Sequence, residues 1–186
     1  MTLAALLATS AFAAPAALHF VAQAHTNADT RVIDVRTENA CAQASLPGAR
    51  CLPATELFSA DGAPVSFHVL RWLLGTIGLN GSERVVVVAD NMADAAVVGS
   101  LLLIAGQREV AVLDRAVAIP TDASGGTPRS MTRETVFTTP MRDRLLVVGN
   151  ETGDNAIDTG RPYDRLRAFA RRYAEDAPTP QLQLMP

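Results

Sequence analysis

The chain has 186 residues, 48% of them apolar, and a formal charge of -3, so it can bury one good core and reads as a single domain. All 16 basic residues are arginines, scattered along the chain, and aromatic residues make up only 5%. No basic face with stacking rings emerges, which excludes nucleic acid as a partner, and the lack of lysine excludes lysine-based chemistry.

The opening run MTLAALLATSAFAAPAA is apolar and rich in small residues, and Ala11-Phe12-Ala13 has the pattern of a signal-peptidase site. Residues 1–14 therefore read as a signal peptide and imply export, to the periplasm. An apolar first helix is the alternative, because no basic residue precedes Arg31. The run is shorter than the roughly 20 apolar residues a bilayer requires, so no membrane span is expected after signal removal.

Residues 31–35, RVIDV, form the first expected strand, with Asp34 and Arg36 at its end. These two read as a structural ion pair or cap rather than as catalytic groups. A turn at Leu46-Pro47-Gly48-Ala49 leads into a short extended piece through Leu52. Cys41 and Cys51 flank that turn. Two cysteines in an exported protein favour a structural disulfide, with two buried free thiols as the main alternative and a redox-active pair behind them. Ser66 caps a helix running to Leu79, with Val69, Leu70, Leu73, Leu74 and Ile77 spaced to face the core. His68 on this helix reads as a satisfied structural histidine, and His19, His25 and His68 are too dispersed for a metal site. No metal and no cofactor are expected.

After Asn80-Gly81, Val85 to Val88 is a β-branched run suited to a strand buried on both faces, and Val110 to Leu113 is another. Between them residues 95–105 are apolar and helix-tolerant, with Gly106 placed as a C-cap. A strand-helix-strand crossover returns parallel and right-handed. The loop that opens the helix therefore lies at the carboxyl edge of the sheet, where open α/β sheets place their ligands.

The segment from Arg84 to Asp114, RVVVVADNMADAAVVGSLLLIAGQREVAVLD, resembles the rhodanese-like (sulfurtransferase) family. A second segment, RVIDVRTENACAQASLPGARCLP from Arg31 to Pro53, is similar to that family's first strand and following turn, and the resemblance covers roughly residues 17–119. It implies an α/β, three-layer fold with a central, mostly parallel sheet flanked by helices. It also implies that the loop Ala89, Asp90, Asn91, Met92, Ala93, Asp94, Ala95 is a vestigial active-site loop. Ala89 stands where the resemblance places a nucleophilic cysteine, and Asp94 where an arginine often closes the loop. Arg115 and Ala116 replace the glycines common after the last strand, and Ala40 replaces a usual glutamate.

Sulfur transfer of this kind needs a low-pKa thiolate to hold a persulfide, and a methyl group has neither nucleophilicity nor charge. Asp90 and Asp94 beside the helix start can accept the N–H bonds that would otherwise hold an external anion; they read otherwise as plain helix-start residues without a partner, or, more sharply, as an acidic pocket for a cationic group on another protein.

Beyond Asp114 the pattern weakens. Residues 120–129 read as a surface loop, 135–138 and 145–148 as two short strands, and 149–160 as a polar loop without calcium-loop spacing. Pro162 opens a closing amphipathic helix with Tyr163, Leu166, Phe169, Ala170 and Tyr173 on its apolar side and arginines on its wet side. The expected organisation is a signal peptide at 1–14, a rhodanese-like core at 15–120, loop, strands and closing helix at 121–176, and a disordered tail at 177–186. The leading functional expectation is a domain with no catalytic residue, acting as a binding, structural or regulatory module toward an unidentified protein partner. The alternatives are a sulfurtransferase using Cys41 or Cys51 from outside the loop, and the inert half of a two-domain sulfurtransferase system.

Overall fold

Four consecutive valines can sit in a strand only if both faces are covered, and they form most of β4 (Arg84–Val88), whose last four residues are all buried. In the computed structural model, which describes residues 17–26, 29–147, 156–157, 160–175 and 180–184, β4 lies near the centre of a six-stranded sheet. Its neighbours are β1 (Ala17–Val21), β2 (Thr30–Asp34), β3 (Arg50–Cys51), β5 (Glu109–Leu113) and β6 (Thr127–Pro128). The order is β1-β5-β4-β2-β3-β6, and every pairing is parallel.

Parallel neighbours need crossovers, and right-handed ones place helices by the direction of travel. The chain moves one way from β2 to β3 through α1 (Glu38–Gln43). It moves the other way from β3 to β4 through α2 (Phe67–Thr76), and from β4 to β5 through α3 (Met92–Ala105). α1 therefore covers one face while α2 and α3 cover the other. The second of these faces holds the larger core, built on Ile33, Val35, Val85, Val87, Val110 and Val112. The α1 face has a smaller cluster of Val32, Val86, Val88, Ala111 and Leu113.

α3 is apolar all round, and Ala95 through Ala105 are all buried, so it must be covered on every side. Gly99 lets it approach β5, since a Cβ there would lie 2.6 Å from Val112 Cγ2. On its outer side lies α4 (Pro162–Ala174), which buries Leu166, Phe169 and Ala170, and Ser100 Oγ donates across the contact to the Leu166 carbonyl at 2.9 Å. Gly106 ends α3 in the left-handed conformation at φ 119°. Arg142 Nη1 donates to the Leu103 and Gln107 carbonyls, placing a cation at the negative helix terminus.

Several sequence expectations are corrected. β1 pairs with β5, although its five residues carry no strand signal beyond short alternation. α2 ends at Thr76, three residues early, with Val69 and His68 exposed rather than core-facing. Thr127–Pro128 within the expected surface loop 120–129 is the edge strand β6. Residues 135–138 are irregular, with backbone bonds to α2 and to Asn80; of the expected strand 145–148, Leu145 ends a 3-10 turn (Asp143–Leu145), Leu146 bridges Leu182 in parallel, the Val147 N–H donates to the Leu182 carbonyl at 3.0 Å, and residue 148 lies outside the described residues. The tail is ordered where it is described: β8 (Gln181–Leu182) pairs with β7 (Ala156–Ile157), and Leu182 is fully buried. Two leucines in a polar tail were enough to give it an apolar anchor. The segments 1–14, 177–179 and most of 149–160 lie outside the described residues.

Cys41 of α1 and Cys51 of β3 form a disulfide, both residues being buried. β6 is laid over it. The Gly126 N–H donates to the Cys41 carbonyl at 2.8 Å, and a Cβ on Gly126 would lie 2.6 Å from Cys41 Sγ and 3.0 Å from Cys51 Sγ. The bond closes a loop of sequence separation 10. Replacing both cysteines by alanine is expected to lower the unfolding free energy by about 3 kcal/mol in the chain-entropy account, measured by urea denaturation.

Residues 129–137 form a strap across the end of α2. Ser130 N–H donates to the Thr76 carbonyl at 3.0 Å and Glu134 N–H to the Gly75 carbonyl at 3.0 Å. Gly75 has to be glycine here, because a Cβ would meet the Thr135 carbonyl oxygen at 2.5 Å. Arg50 pins the strap by donating through Nη1 and Nη2 to Glu134 at 2.8 and 2.6 Å. Hydrogen bonds from Arg50 and from Ser130 hold the Glu134 carboxyl down from 4.5 to about 2. Because the folded value is depressed, the stabilisation is complete above pH 4.5 and fades as the pH falls toward 2. Thermal melts of Glu134→Gln should therefore lie below wild type at pH 7, with the gap closing between pH 4.5 and pH 2.

Candidate functional site

β4 delivers the chain to the carboxyl edge of the sheet at Ala89. Ala89 is buried, its side chain belongs to the larger core, and its carbonyl accepts from the Val117 N–H at 2.8 Å. The methyl group is thus a packing element. Asp90 follows on the surface with its side chain 71% exposed, and its Oδ1 lies 4.0 Å from Arg36 Nε.

Asn91 is the N-cap of α3. Its backbone is extended, its Oδ1 accepts from the Asp94 N–H at 2.9 Å, and its Nδ2 donates to Asp94 Oδ2 at 2.7 Å. The second oxygen of Asp94 accepts from the Tyr163 hydroxyl at 2.5 Å. Met92 and Ala93 are half-buried and Ala95 is fully buried. The expectation that Asp90 and Asp94 would accept the first N–H bonds of the helix is therefore corrected. The cap position falls on Asn91, one residue beyond Asp90, and the Asp94 carboxylate is occupied by two side chains.

Tyr163 stands at the start of α4, its ring 6.2 Å from that of Phe58. Burial, reinforced by the hydrogen bond to Asp94, pushes its hydroxyl well above the usual phenol range, so it is a proton donor to Asp94 at all ordinary pH. Through this contact the closing helix locks the start of α3.

Asp34 and Arg36 lie beside the loop because β2 is the neighbour of β4, and the Val35 N–H continues that ladder to the Val88 carbonyl at 2.9 Å. The Asp34 carboxylate is fully buried. It accepts from Arg36 Nη2 at 2.6 Å, from Arg36 Nε at 3.0 Å, from the Arg36 N–H at 3.1 Å and from Ser45 Oγ at 2.6 Å. The hydrogen bonds to Asp34 hold the Arg36 guanidinium more firmly charged than a free one. Arg36 Nη2 also donates to the Ala44 carbonyl at 2.6 Å, so this arginine ties β2 to the end of α1.

The loop thus gathers Asp90, Asn91 and Asp94 with Arg36, and excludes the cysteines, which sit on the β3 side. β3 is two strands from β4, about 10 Å at ordinary strand spacing. Among the described residues no cluster of three metal-ligating side chains exists. A groove of about 300 Å³ opens beside the Ala89–Val117 contact, lined by Leu46, Leu113, Arg115 and Val117 among others. The Arg115 guanidinium pairs with Asp114 at 2.7 Å.

Sequence reasoning missed Tyr163 and Ser45, which join the site from 69 and 11 residues away. It also missed the role of Asn91, although Asn91-Met92-Ala93-Asp94 has the spacing of a capping box with aspartate at its third position.

No protein-family model matches the chain, and no curated protein matches it in sequence. Solved structures do. YnjE is 22% identical with a TM-score of 0.52, covering 64% of this chain and 31% of its own. SseA from Escherichia coli, described with the rhodanese fold and catalytic mechanism of 3-mercaptopyruvate sulfotransferases, is 13% identical with a TM-score of 0.51, covering 64% and 54%. EanB, solved with hercynine, is 17% identical with a TM-score of 0.54, covering 73% and 38%. A further EanB structure holds a cysteine persulfide with ergothioneine. The chain spans about a third of YnjE and EanB and about half of SseA. At these identities the likeness carries the fold: the central six-stranded parallel sheet flanked by helices is the rhodanese-like α/β fold.

Proposed function

We propose that this chain is a rhodanese-fold domain without sulfurtransferase chemistry, serving as a binding, structural or regulatory module of an exported, periplasmic protein. The observation that carries this reading is the state of its sulfur. The chain has two cysteines, and both are consumed in the buried Cys41–Cys51 disulfide. A persulfide carrier needs a thiolate that an incoming donor can reach. Ala89 offers a core-packed methyl where the resemblance places that thiolate, and the helix start behind it is capped by Asn91 with Asp90 and Asp94 alongside. Negative charge there opposes anionic sulfur donors.

The disulfide also supports export, since such bonds persist in oxidising compartments. No helix among the described residues is long and apolar enough to cross a membrane.

The greater length of the structural neighbours supports a specific form of this reading, in which the domain is the inert half of a two-domain arrangement. The enzyme reading, with Cys41 or Cys51 as carrier, requires reduction of a bond that β6 and Gly126 cover.

A thiosulfate:cyanide transfer assay on the oxidised and the reduced protein is expected to yield thiocyanate only at the uncatalysed rate. Turnover that disappears in Cys51→Ala would overturn the proposal. Calorimetric titration with thiosulfate should give a dissociation constant weaker than about 1 mM, an affinity near -4 kcal/mol. A constant a hundredfold tighter would mean that the loop still forms an anion pocket.

A further inference from the structure

The exposed large apolar side chains of the described residues all come from one region. Val69 and Trp72 lie on the outer side of α2, 41% and 36% exposed, and Met131 and Val136 belong to the strap across its end, 85% and 53% exposed. Val69 and Trp72, three residues apart, share one side of α2, and exposed apolar side chains gathered in one region mark interaction sites where scattered single ones do not. Between α2 and the strap runs a groove of about 390 Å³ walled by Phe67, Trp72, Phe137 and Met141.

The charge on this groove has one sign. Arg71 and Arg133 line it, and no carboxylate does. Arg71 is held in place by donating to the Phe137 and Thr139 carbonyls at 2.9 and 3.1 Å, and its guanidinium lies 5.8 Å from the centre of the Phe137 ring. Neither Arg71 nor Arg133 forms an ion pair among the described residues. Glu134, the acid next to Arg133, is turned to Arg50 instead. The Arg133 side chain passes close over Gly75, which keeps its charge beside α2.

We propose that this groove docks an acidic peptide segment of a partner protein, apolar side chains entering between Trp72 and Phe137 and carboxylates meeting Arg71 and Arg133. Tryptophan and arginine are the residues that most often dominate interface energetics. A peptide fits better than a compact small molecule because Val69, one turn before Trp72 on the same side of α2, and Met131 and Val136 on the strap offer exposed apolar side chains outside the groove lining. The inference names a partner surface for the binding module proposed above and rests on that reading. It lies on α2 and the strap, however, and does not use the loop at Ala89.

Trp72 is the one tryptophan of the chain and reports on the groove directly. The probe is a capped ten-residue peptide of leucines spaced among aspartates, titrated into the full chain, with the lysine analogue as control. The acidic peptide is expected to shift Trp72 emission saturably, and the lysine analogue to leave it unchanged. Arg133→Glu and Val69→Ser, both on exposed positions, should each weaken binding at least tenfold while far-UV circular dichroism stays the same. No saturable shift, equal response to both peptides, or unchanged affinity in both variants would overturn the proposal. Sedimentation showing a dimer that Val69→Ser dissociates would overturn it too, by assigning the surface to a second copy. These results are read apart from thiocyanate production, so failure here leaves the inactive-loop reading standing, and sulfur turnover would sink that reading without moving the Trp72 signal.

Discussion

A helix with no polar side has to be enclosed, and the enclosure of α3 organises the rest of this molecule. The sheet covers one side through Val110 and Val112, with Gly99 permitting close contact, and α4 covers the other through Leu166 and Phe169. The chain beyond β5 is therefore needed by the core that precedes it. The same requirement places Tyr163 over the start of α3 and Arg142 over its end, so both termini of the central helix are held by side chains from the last third of the chain.

The other face of the sheet is closed more economically. α1 has six residues, and the disulfide, Gly126 and the edge strand β6 replace the second helix that a wider layer would use. Sulfur serves as a staple on this side. The loop after β4 is finished with packing and capping: a methyl in the core, an asparagine on the helix start, and an aspartate shared between Asn91 and Tyr163. The arginine-lined groove beside α2 shares no lining residue with this loop.

Legibility in the sequence followed how local each cause was. The valine run of β4, the apolar stretch of α3 and its glycine cap, the Ser66 cap of α2 and the proline opening α4 are all fixed by neighbours a few residues away, and each is found in the structure, with α2 ending and α3 beginning three residues earlier than expected. Short strands were not legible from their own residues. β6, β7 and β8 have two residues each, too few for any period, and exist because a neighbouring edge offers hydrogen bonds; β3, equally short, was legible only through the turn before it. His68 and Val69 were misplaced for a related reason: a helical stripe tells which residues share a face, and only the packing tells where that face ends.

By itself the sequence determined the parallel α/β plan, the position of the loop at the carboxyl edge, and the lack of a thiol in it, because these depend on side-chain pattern and composition alone. The tertiary structure decided the pairing of Cys41 with Cys51, the capping by Asn91 instead of Asp90, the arrival of Tyr163 at Asp94, and the gathering of the exposed apolar side chains beside α2. The disulfide joins residues only ten apart, yet the sequence leaves it open to three readings that the meeting of β3 and α1 resolves. The others depend on contacts between segments far apart in the chain or on the backbone conformation of a single residue, and no local pattern encodes either.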